Sequence, residues 1–381
     1  MINNVVIFIP AIEKGGVERN AIWAANEFTK SGLQVDVVYV RMEEEQKDKF
    51  ISDVHLVQFT KKRIPGLNQR IADAVSIRRA FDKYLKTKRK ENTVVLAFQS
   101  AAVAVSICRK NHIRVICRLS NHPSAVKYEK SNVRKLSEWI KPHTYKKADV
   151  IIANSKKLAE DFSKMVGREV LTVYNPIDFE MVKRKQIEPV EPWITEEAAN
   201  FKGRLIIAVG RLTEQKDPET MIRGFAASKT AKTAMLWILG EGNKRQEIEK
   251  LIQELNIGEH VRLFGYQKNV YKYLKYADLY IQTSLYEGCP NSLIEAIATS
   301  IPAIATDCLS GPSEVLLDGA GGDLIPLKDA KILAERIDAY FEQPKILKEK
   351  LKIAQASLGK FEKDSVISTY MTIFKNLCGE T

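Results

Sequence analysis

The sequence contains no uninterrupted apolar run of the roughly 18 residues that a membrane-spanning helix requires. The nearest approach, residues 94–108, is broken by Gln99 and Ser100 and is typical of a strand, a turn and a helix. The chain starts without a basic segment ahead of an apolar one, so we expect no signal peptide. Five cysteines are scattered without a CxxC pair, which argues against a disulfide framework or a zinc site and favours a reducing cytoplasm.

The dinucleotide-binding fingerprint G-x-G-x-x-G is also missing from the chain. The first predicted strand, residues 5–9, leads into a loop that carries Gly15 and Gly16, and a helical pattern follows from Ala21 to Phe28. The glycine pair allows a tight backbone bend and leaves room for a ligand to approach it. Because the pair does not fit the fingerprint, a nicotinamide-dependent oxidoreductase is disfavoured.

The net charge of +12 is distributed unevenly along the chain. Residues 1–190 hold 35 Lys and Arg against 21 Asp and Glu, a net of +14, which leaves 24 against 26, a net of −2, for the remainder. Unless the basic half is only a solvated surface, it predicts an anionic partner: nucleic acid, an acidic membrane lipid or a phosphorylated acceptor. The basic clusters are Lys61-Lys62-Arg63, Arg78-Arg79, Lys86 to Lys90 and Lys127 to Lys147.

Strand-like and helical stretches alternate along the whole chain. A chain of 381 residues with 45% hydrophobic and 28% charged residues is too long for one ordinary core, so we expect two soluble domains. The alternation predicts an α/β fold with parallel sheets covered by helices on both faces. Residues 179–200 are charged and contain Pro189, Pro192 and Trp193, and we interpret them as the interdomain linker.

Charged side chains follow predicted strands in both halves of the chain. After the strand at residues 205–209, Asp217 is predicted as an N-cap and Pro218 as the first residue of a helix. Arg211 and Lys216 then lie near a helix N-terminus, where they suit a diphosphate, although solvated loop charges would bind nothing. In the first half, His122 follows a predicted strand and is a candidate substrate contact, although a surface histidine is the simpler interpretation.

The stretch SLYEGCPNSLIEA, residues 284–296, has an apolar strand pattern before it and a helical pattern after it. Gly288 and Pro290 predict a tight turn, and Asn291 and Ser292 stand where a helix N-cap is expected. First-turn N–H groups without helical partners, together with the positive end of the helix dipole, suit a phosphate. The turn is therefore a candidate phosphate site at the carboxyl end of a strand.

Two carboxylates, Glu287 and Glu295, flank this turn. A simpler interpretation remains open, because Ser292-x-x-Glu295 also fits a capping box in which the glutamate accepts from the N-cap N–H. A separate turn, Gly265-Tyr266, follows a short predicted strand and can hold a planar base against the tyrosine ring.

Four segments carry a resemblance to a known family: GGVER (15–19), GRLTEQKDP (210–218), GEG (240–242) and EGCPNSLIE (287–295). In this order they resemble the motifs of glycosyltransferase family 4, whose members are retaining enzymes that use nucleotide sugars. The resemblance spans nearly the whole chain and implies a GT-B fold, with two Rossmann-like parallel-sheet domains facing each other across a cleft. It implies an acceptor-binding domain at 1–185, joined by a C-terminal helix at 361–381, and a nucleotide-sugar-binding domain at 195–360.

The resemblance also implies roles for charged residues in catalysis. Arg211 and Lys216 would hold the donor diphosphate and stabilise it as it leaves. Glu287 would contact the hydroxyls of the transferred sugar, and we do not assign it as a covalent nucleophile. His122 matches the histidine that the family places near the donor sugar.

Further residues are implied in binding the donor nucleotide. Glu295 would bind the ribose hydroxyls, Gly16 would lie close to the diphosphate and the acceptor, and Tyr266 would lie near the base. Backbone N–H groups near the start of the helix after the turn would add to the diphosphate site. The implied donor-binding set is Gly16, Glu241, Tyr266, Asn291, Ser292, Leu293 and Glu295.

These residue types fit a transfer that needs no metal and no bound cofactor. Breaking a sugar–phosphate bond builds negative charge on the diphosphate, which fixed cations and a helix N-terminus stabilise. The family typically lacks the Asp-x-Asp metal motif, and the sequence has none. Retention in such enzymes is attributed to front-face attack by a positioned acceptor.

The resemblance implies the partners as well. Related enzymes build bacterial O-antigen, capsule or lipid-linked glycans, so we expect a hexose or N-acetylhexosamine to pass from a UDP-sugar, or secondly a GDP-sugar, to a lipid-linked acceptor. The basic first domain would then touch anionic lipid at the cytoplasmic face of the membrane, without binding nucleic acid.

Three other activities compete with this interpretation. A nucleotide-sugar epimerase of the same fold would act without an acceptor, and a phosphorylase would use phosphate and a pyridoxal cofactor. A nucleic-acid-binding protein is indicated only by charge, since the basic residues are not interleaved with stacking aromatics.

Overall fold

The computed structural model of the protein describes residues 2–59, 69–88, 92–122 and 141–379. The basic cluster Lys61-Lys62-Arg63 and most of the series from Lys127 to Lys147 lie outside these residues. The chain divides into two compact units. The first unit is assembled from Met1–Pro176 and Lys363–Thr381, and the second is the continuous stretch Ile177–Glu362.

The first unit is built on a parallel sheet. Its described strands are β1 (Asn4–Phe8), β2 (Ala11–Ile12), β3 (Gln34–Tyr39), β4 (Arg41–Met42), β5 (His55–Gln58), β6 (Thr93–Ala97), β7 (Arg114–Leu119), β8 (Val150–Ala153) and β9 (Leu171–Thr172). Seven of them form one sheet in the order β5-β3-β1-β6-β7-β8-β9, and β2 pairs with β4 separately. Every described pairing is parallel, as the alternation of strands and helices predicts.

Helices cover both faces of this sheet. They are Gly16–Lys30, Glu44–Lys47, Gln69–Leu85, Ala101–Asn111, Lys156–Val166 and Lys363–Leu377. Successive residues of β1 belong to different cores, with Val6 and Phe8 on one face and Val5 and Ile7 on the other. Burial on both faces explains why this strand is apolar at every one of these positions.

The C-terminal helix Lys363–Leu377 belongs to the first unit. The ring of Phe28, on the helix Gly16–Lys30, lies 5.2 Å from the ring centroids of both Tyr370 and Phe374. These aromatic contacts close one face of the core, because all three side chains are buried. The first unit therefore needs both ends of the chain.

The second unit contains a six-stranded parallel sheet. Its strands are β10 (Leu205–Val209), β11 (Met235–Leu239), β12 (Val261–Gly265), β13 (Leu279–Gln282), β14 (Ala303–Thr306) and β15 (Asp323–Ile325). Their order is β12-β11-β10-β13-β14-β15. Its α-helices are Phe179–Gln186, Pro192–Asn200, Pro218–Ala227, Arg245–Glu254, Tyr271–Leu274, Asn291–Ala298, Pro312–Val315, Ala330–Glu342 and Pro344–Ala356.

The strand order determines where a ligand site can form. From β10 the chain first moves to β11 and β12 on one side, and then returns to β13 on the other side. Such a reversal opens a crevice at the carboxyl ends of the two central strands. The loops after β10 and β13 therefore meet at this edge, and both carry residues singled out from the sequence.

Residues 179–200 differ from the predicted linker, because they form two helices of the second unit. The first helix is capped by Asp178, whose Oδ1 accepts from the Met181 N–H at 2.8 Å. The second begins at Pro192 and buries Ile194. The two units themselves match the predicted fold class of parallel α/β domains. Within the described ranges, no helix combines the length and apolar character needed to cross a membrane.

Candidate nucleotide-sugar site

The loop after β10 turns sharply before the next helix. A 3₁₀ turn at Glu214–Lys216 leads to Asp217, which has a left-handed backbone with a φ of 44°. The Asp217 carboxylate accepts from the backbone N–H of Thr220 at 3.4 Å and from its hydroxyl at 2.6 Å. Pro218 follows as the first helical residue. The predicted N-cap is confirmed, and it directs Lys216 to the carboxyl edge of the sheet.

Hydrogen bonds join this loop to the loop after β13. The Thr283 hydroxyl lies 3.1 Å from the Lys216 carbonyl oxygen and 2.8 Å from that of Asp217. The Leu285 N–H donates to the Gln215 carbonyl at 2.8 Å, and the Gln215 side-chain amide donates to the Tyr286 carbonyl at 3.0 Å. These bonds fix the two loops relative to each other, although they are distant in sequence.

Lys216 and Glu287 form an ion pair at this junction. The Lys216 Nζ lies 2.5 Å from Glu287 Oε1, and the side chains are only 19% and 7% exposed. The resemblance implies that Lys216 binds the diphosphate of the donor and that Glu287 binds its sugar. Their pairing was not predicted from the sequence. Low exposure strengthens the attraction between the charges, since little water screens them. The pair therefore holds the ammonium group in one position at the strand ends.

A third loop, after β14, supports the turn that carries Glu287. The Ser310 hydroxyl donates to the Glu287 carbonyl oxygen at 2.6 Å, and the Thr306 hydroxyl donates to the Ser284 carbonyl oxygen at 2.6 Å. Gly311 has a φ of 95°, and a Cβ there would lie 2.7 Å from Pro290 Cδ. Ser310 and Thr306 were missed from the sequence, because their partners lie more than twenty residues away along the chain.

The helix after the turn starts differently from the prediction. It spans Asn291–Ala298, and Pro290 holds the N-cap position without a side-chain capping bond. The predicted N-cap at Asn291 and Ser292 is therefore wrong, because both are already helical. The Leu293 N–H, which sequence analysis offered to a phosphate, donates to the Pro290 carbonyl at 3.1 Å. Asn291 and Ser292 nevertheless occupy the first turn, at the positive end of the helix dipole.

Glu295 lies one turn into this helix and is 4% exposed. Its Oε1 accepts from the hydroxyl of Tyr271 at 3.1 Å. Since Ser292 is not the N-cap, the proposed capping box does not describe this glutamate. Tyr271, from a short helix after β12, was not identified from the sequence. A carboxylate has acceptor sites on both oxygens, so this contact does not exclude a hydrogen bond from a ligand hydroxyl.

The G-E-G segment packs against the loop after β10. The Gly240 N–H donates to the Gly265 carbonyl at 2.8 Å, and the Leu212 N–H donates to the Glu241 carbonyl at 2.9 Å. A Cβ on Gly240 would lie 1.8 Å from the Gly210 carbonyl oxygen, so only glycine fits. The Glu241 carboxylate pairs with Arg245 of the next helix. The segment thus places its backbone directly beside the loop that carries Arg211.

Arg211 and Tyr266 are exposed. The Arg211 guanidinium donates to Gln215 Oε1 at 3.3 Å, and the Tyr266 ring is 52% exposed. The two predicted diphosphate cations thus differ, because Lys216 is held in a partly buried pair whereas Arg211 is exposed to solvent. An exposed arginine in this loop can reorient toward an arriving anion.

Cys308, in the loop after β14, is buried close to the same turn. Burial, with a smaller contribution from the Glu287 carboxylate, raises the pKa of the Cys308 thiol to about 12. The thiol is therefore neutral at physiological pH and is not a nucleophile there, since nucleophilic attack requires the thiolate.

The two remaining predicted residues, Gly16 and His122, belong to the first unit. Gly16 begins the helix Gly16–Lys30, and a Cβ on it would meet nothing within 4 Å. His122 is 6% exposed, with its Nε2 3.4 Å from Asp161 Oδ2. The interpretation of His122 as a surface histidine is therefore wrong. All the other predicted residues lie in the second unit, at or near the carboxyl edge of its sheet.

Known structures share this architecture of two parallel Rossmann-like units. A crystal structure of Anabaena Alr3699/HepE in complex with UDP and glucose aligns with a TM-score of 0.78 and 16% identity, covering 98% of this chain and 99% of that one. The fold is therefore GT-B.

Two family models divide the chain between them. Glycosyltransferase Family 4 matches residues 14–181, and Glycosyl transferases group 1 matches residues 190–357. The N-acetylgalactosamine-N,N'-diacetylbacillosaminyl-diphospho-undecaprenol 4-alpha-N-acetylgalactosaminyltransferase of Campylobacter jejuni is 32% identical over 66% of this chain and 67% of its own length. An uncharacterized glycosyltransferase of Methanocaldococcus jannaschii is 34% identical over 54% of this chain and 51% of its own length. The chain belongs to glycosyltransferase family 4, as its motifs predicted.

Proposed function

We propose that this enzyme transfers a hexose or N-acetylhexosamine from a nucleotide sugar to a lipid-linked glycan acceptor, with retention of configuration. A UDP-sugar is the first candidate donor and a GDP-sugar the second. The observation that carries the proposal is the partly buried Lys216–Glu287 pair, held by three loops at the carboxyl edge of the second sheet. The process served is the synthesis of a bacterial surface polysaccharide.

Lys216 acts on the leaving group in this proposal. Cleavage of the bond between the anomeric carbon and the phosphate oxygen leaves negative charge on the diphosphate. The Lys216 ammonium group and the first turn of the helix Asn291–Ala298 supply positive potential at the edge where this charge develops. Because both are fixed before the donor binds, they stabilise the transition state without reorganising.

Glu287 and Glu295 bind hydroxyl groups of the donor. Both carboxylates are buried in the second unit, where a sugar or ribose hydroxyl makes a stronger hydrogen bond than in water. Glu287 contacts the transferred sugar while its other contact, with the Lys216 ammonium group, fixes the position of the carboxylate. The acceptor hydroxyl attacks from the face that the diphosphate leaves and transfers its proton to the departing phosphate oxygen.

The comparisons support the choice of donor and acceptor. The Campylobacter relative is named for transfer to a diphospho-undecaprenol-linked acceptor, and the Anabaena structure contains UDP and glucose. The donor would use Gly16, Glu241, Tyr266, Asn291, Ser292 and Leu293 in addition to Glu295. We propose that no metal or cofactor takes part, because Lys216 and Arg211 supply the positive charge.

A panel of nucleotide sugars tests the function. Each sugar nucleotide is scored first by thermal shift and then, in the presence of EDTA, by the mass added to a lipid-linked acceptor. We expect one UDP-sugar to raise the melting temperature and to extend the acceptor by one sugar. Hydrolysis or epimerisation of the donor without an acceptor, or transfer that requires an added divalent cation, would contradict the proposal.

Replacing Glu295 by glutamine is expected to weaken donor binding by about 10- to 100-fold, since a hydrogen bond to a charged group contributes about 1.5–3 kcal/mol. Isothermal titration with UDP measures the effect. The matched control is Glu219→Gln, which alters a 63% exposed glutamate of the same unit. Equal affinity for UDP in Glu295→Gln and the control would remove Glu295 from the site.

We propose that the first unit contacts anionic lipid at the cytoplasmic face of the membrane. Arg78, Arg79 and Lys83 are exposed in the second half of the helix Gln69–Leu85, and Lys86 is exposed just beyond it, so this part of the chain carries several exposed cations. We expect the protein to sediment with phosphatidylglycerol vesicles at low salt and to be released at high salt. Equal sedimentation with neutral phosphatidylcholine vesicles would contradict this contact.

A further inference from the structure

A buried tyrosine lies beneath the start of the helix that follows the Glu287 turn. Tyr280 is on β13, and its side chain is fully buried. Its hydroxyl oxygen lies 2.9 Å from Ser292 Oγ, 3.4 Å from Gln282 Oε1 and 3.5 Å from the Val209 carbonyl oxygen. None of the roles described so far uses this hydroxyl.

The distances indicate the direction of the hydrogen bond. Burial raises the pKa of Tyr280 well above its usual value, so the phenol keeps its proton and acts as a donor. Ser292 Oγ is the nearest acceptor, and the other two lie at the outer limit for an O–H···O bond. Tyr280 therefore donates to Ser292, and one rotamer of the serine hydroxyl is favoured.

This bond leaves the Ser292 proton available. Ser292 Oγ already accepts from Tyr280, and within the described residues its own proton has no acceptor. Ser292 is the second residue of the helix Asn291–Ala298, at the end where the backbone dipole attracts an anion. Its hydroxyl is thus a donor, held by a rigid strand, at an anion-attracting position.

A second donor belongs to Gln282, whose Oε1 lies 3.4 Å from the Tyr280 hydroxyl. Gln282 is 4% exposed, and within the described residues its side-chain Nε2 has no hydrogen-bond partner. Gln282 also lines a cavity at the strand ends, together with Arg211 and Lys216. Buried donors without acceptors are costly and usually indicate a missing ligand or water. The missing partner is an acceptor, and a phosphate oxygen accepts several such bonds at once.

We propose that Tyr280 is a positioning residue for donor binding: its hydroxyl orients Ser292 so that the serine proton is donated to a diphosphate oxygen of the nucleotide. This inference rests on the proposed function and adds a role for two side chains of the same site. Ser292 contacts the ligand, and Tyr280 acts only through Ser292.

A purely structural role for Tyr280 makes a different prediction. If the hydroxyl only satisfied a buried acceptor, Tyr280→Phe would lower stability and leave nucleotide affinity unchanged. If it orients Ser292, its loss lowers affinity only as long as Ser292 is present. Residues that act through one another give non-additive effects, which a double-mutant cycle measures.

The experiment measures the dissociation constant for UDP, or for GDP if the donor panel selects it, by isothermal titration. The variants are Tyr280→Phe, Ser292→Ala and the double variant. We expect Ser292→Ala, which removes a hydrogen bond to a charged group, to bind at least about 10-fold more weakly, and Tyr280→Phe, which removes one neutral hydrogen bond, to bind about fivefold more weakly. The double variant should bind no more weakly than Ser292→Ala. Melting temperatures recorded in parallel separate affinity from stability.

Tyr340→Phe is the matched control. The Tyr340 side chain is also buried in the second unit, and its hydroxyl donates to the Asp278 carbonyl at 2.7 Å, just before the amino end of β13. We expect this variant to lose stability and to keep the wild-type affinity.

Two results would overturn the inference. Wild-type affinity in Tyr280→Phe, or additive losses in the double variant, would leave Tyr280 with a structural role only. Failure of the wild-type protein to bind any nucleotide would overturn the proposed function and this inference together, so the two failures are distinguishable.

Discussion

Replacing Lys216 by alanine is expected to lower the rate of sugar transfer by about 10²–10³-fold, the effect of removing one fixed charge-stabilising donor. The ammonium group lies at the carboxyl end of β10, held by Glu287 and by the loop bonds to Thr283. Arg211, the other cation of this loop, is exposed and less constrained, so we do not expect it to replace the Lys216 ammonium group. Initial rates with saturating donor and acceptor measure the effect.

The same substitution has a second consequence, which must be separated from the first. Alanine leaves Glu287 buried without its cation, which is expected to lower the free energy of unfolding by about 3 kcal/mol. The double variant Lys216→Met/Glu287→Gln removes both charges and should regain most of this stability. Activity should stay low in the double variant, and recovery of the rate would show that Lys216 acts only on stability.

A surface lysine provides the control for charge alone. Lys250 is 79% exposed in the same unit, and its side chain pairs with Glu254 at 3.6 Å. Lys250→Ala should retain both the transfer rate and the melting temperature, since exposed pairs contribute at most about 1 kcal/mol.

Replacing Gly240 by alanine is expected to lower the free energy of unfolding of the second unit by about 3–5 kcal/mol. Gly240 has a φ of 150°, a region that other residues rarely adopt, and a Cβ would lie 1.8 Å from the Gly210 carbonyl oxygen. The clash is with backbone, so no side-chain rotation relieves it. Urea denaturation followed by tryptophan fluorescence, to which the buried Trp237 of this unit contributes, measures the loss.

Gly258→Ala is the control for this prediction. A Cβ on Gly258 meets nothing within 4 Å, and its φ lies outside the positive range. We expect this variant to unfold within about 0.5 kcal/mol of the wild-type protein. If Gly240→Ala is as stable as the wild-type protein, the loops that carry Gly210 and Gly240 can separate without cost, which would contradict this prediction.

Local signals in the sequence predicted local structure. Asp217 caps its helix as expected, because the capping bond joins residues three positions apart and Pro218 stabilises the helix start. The same rule failed at Ser292, because the helix has Pro290 at its N-cap and Ser292 is already helical. The Ser292 hydroxyl instead accepts a hydrogen bond from Tyr280 on the preceding strand.

Composition misled the interpretation of residues 179–200. Charges and prolines favoured a linker, yet Pro192 is the first residue of a helix, a position that proline tolerates because its missing N–H has no helical partner there. Ile194 is buried within the second unit, and this burial stabilises the helix. The sequence alone does not reveal it. The fold class was predictable because strand and helix alternation repeats along the chain.

The site could be predicted as a set of residues but not as a set of contacts. Lys216 and Glu287 are 71 positions apart, and Tyr271 and Glu295 are 24 apart. Only the strand order, which brings β10 next to β13, makes the first pair adjacent. Motif spacing indicates which residues bind a donor. The position of each charged side chain, in contrast, depends on a hydrogen-bond partner from another part of the chain.

The division of the first unit into two segments has a consequence during protein synthesis. A ribosome translates Met1–Pro176 first, then all of Ile177–Glu362, and only afterwards the helix Lys363–Leu377. Phe28 therefore stays without its two aromatic neighbours until Tyr370 and Phe374 have been translated. The first unit can complete this part of its core only after the whole of the second unit has been synthesised.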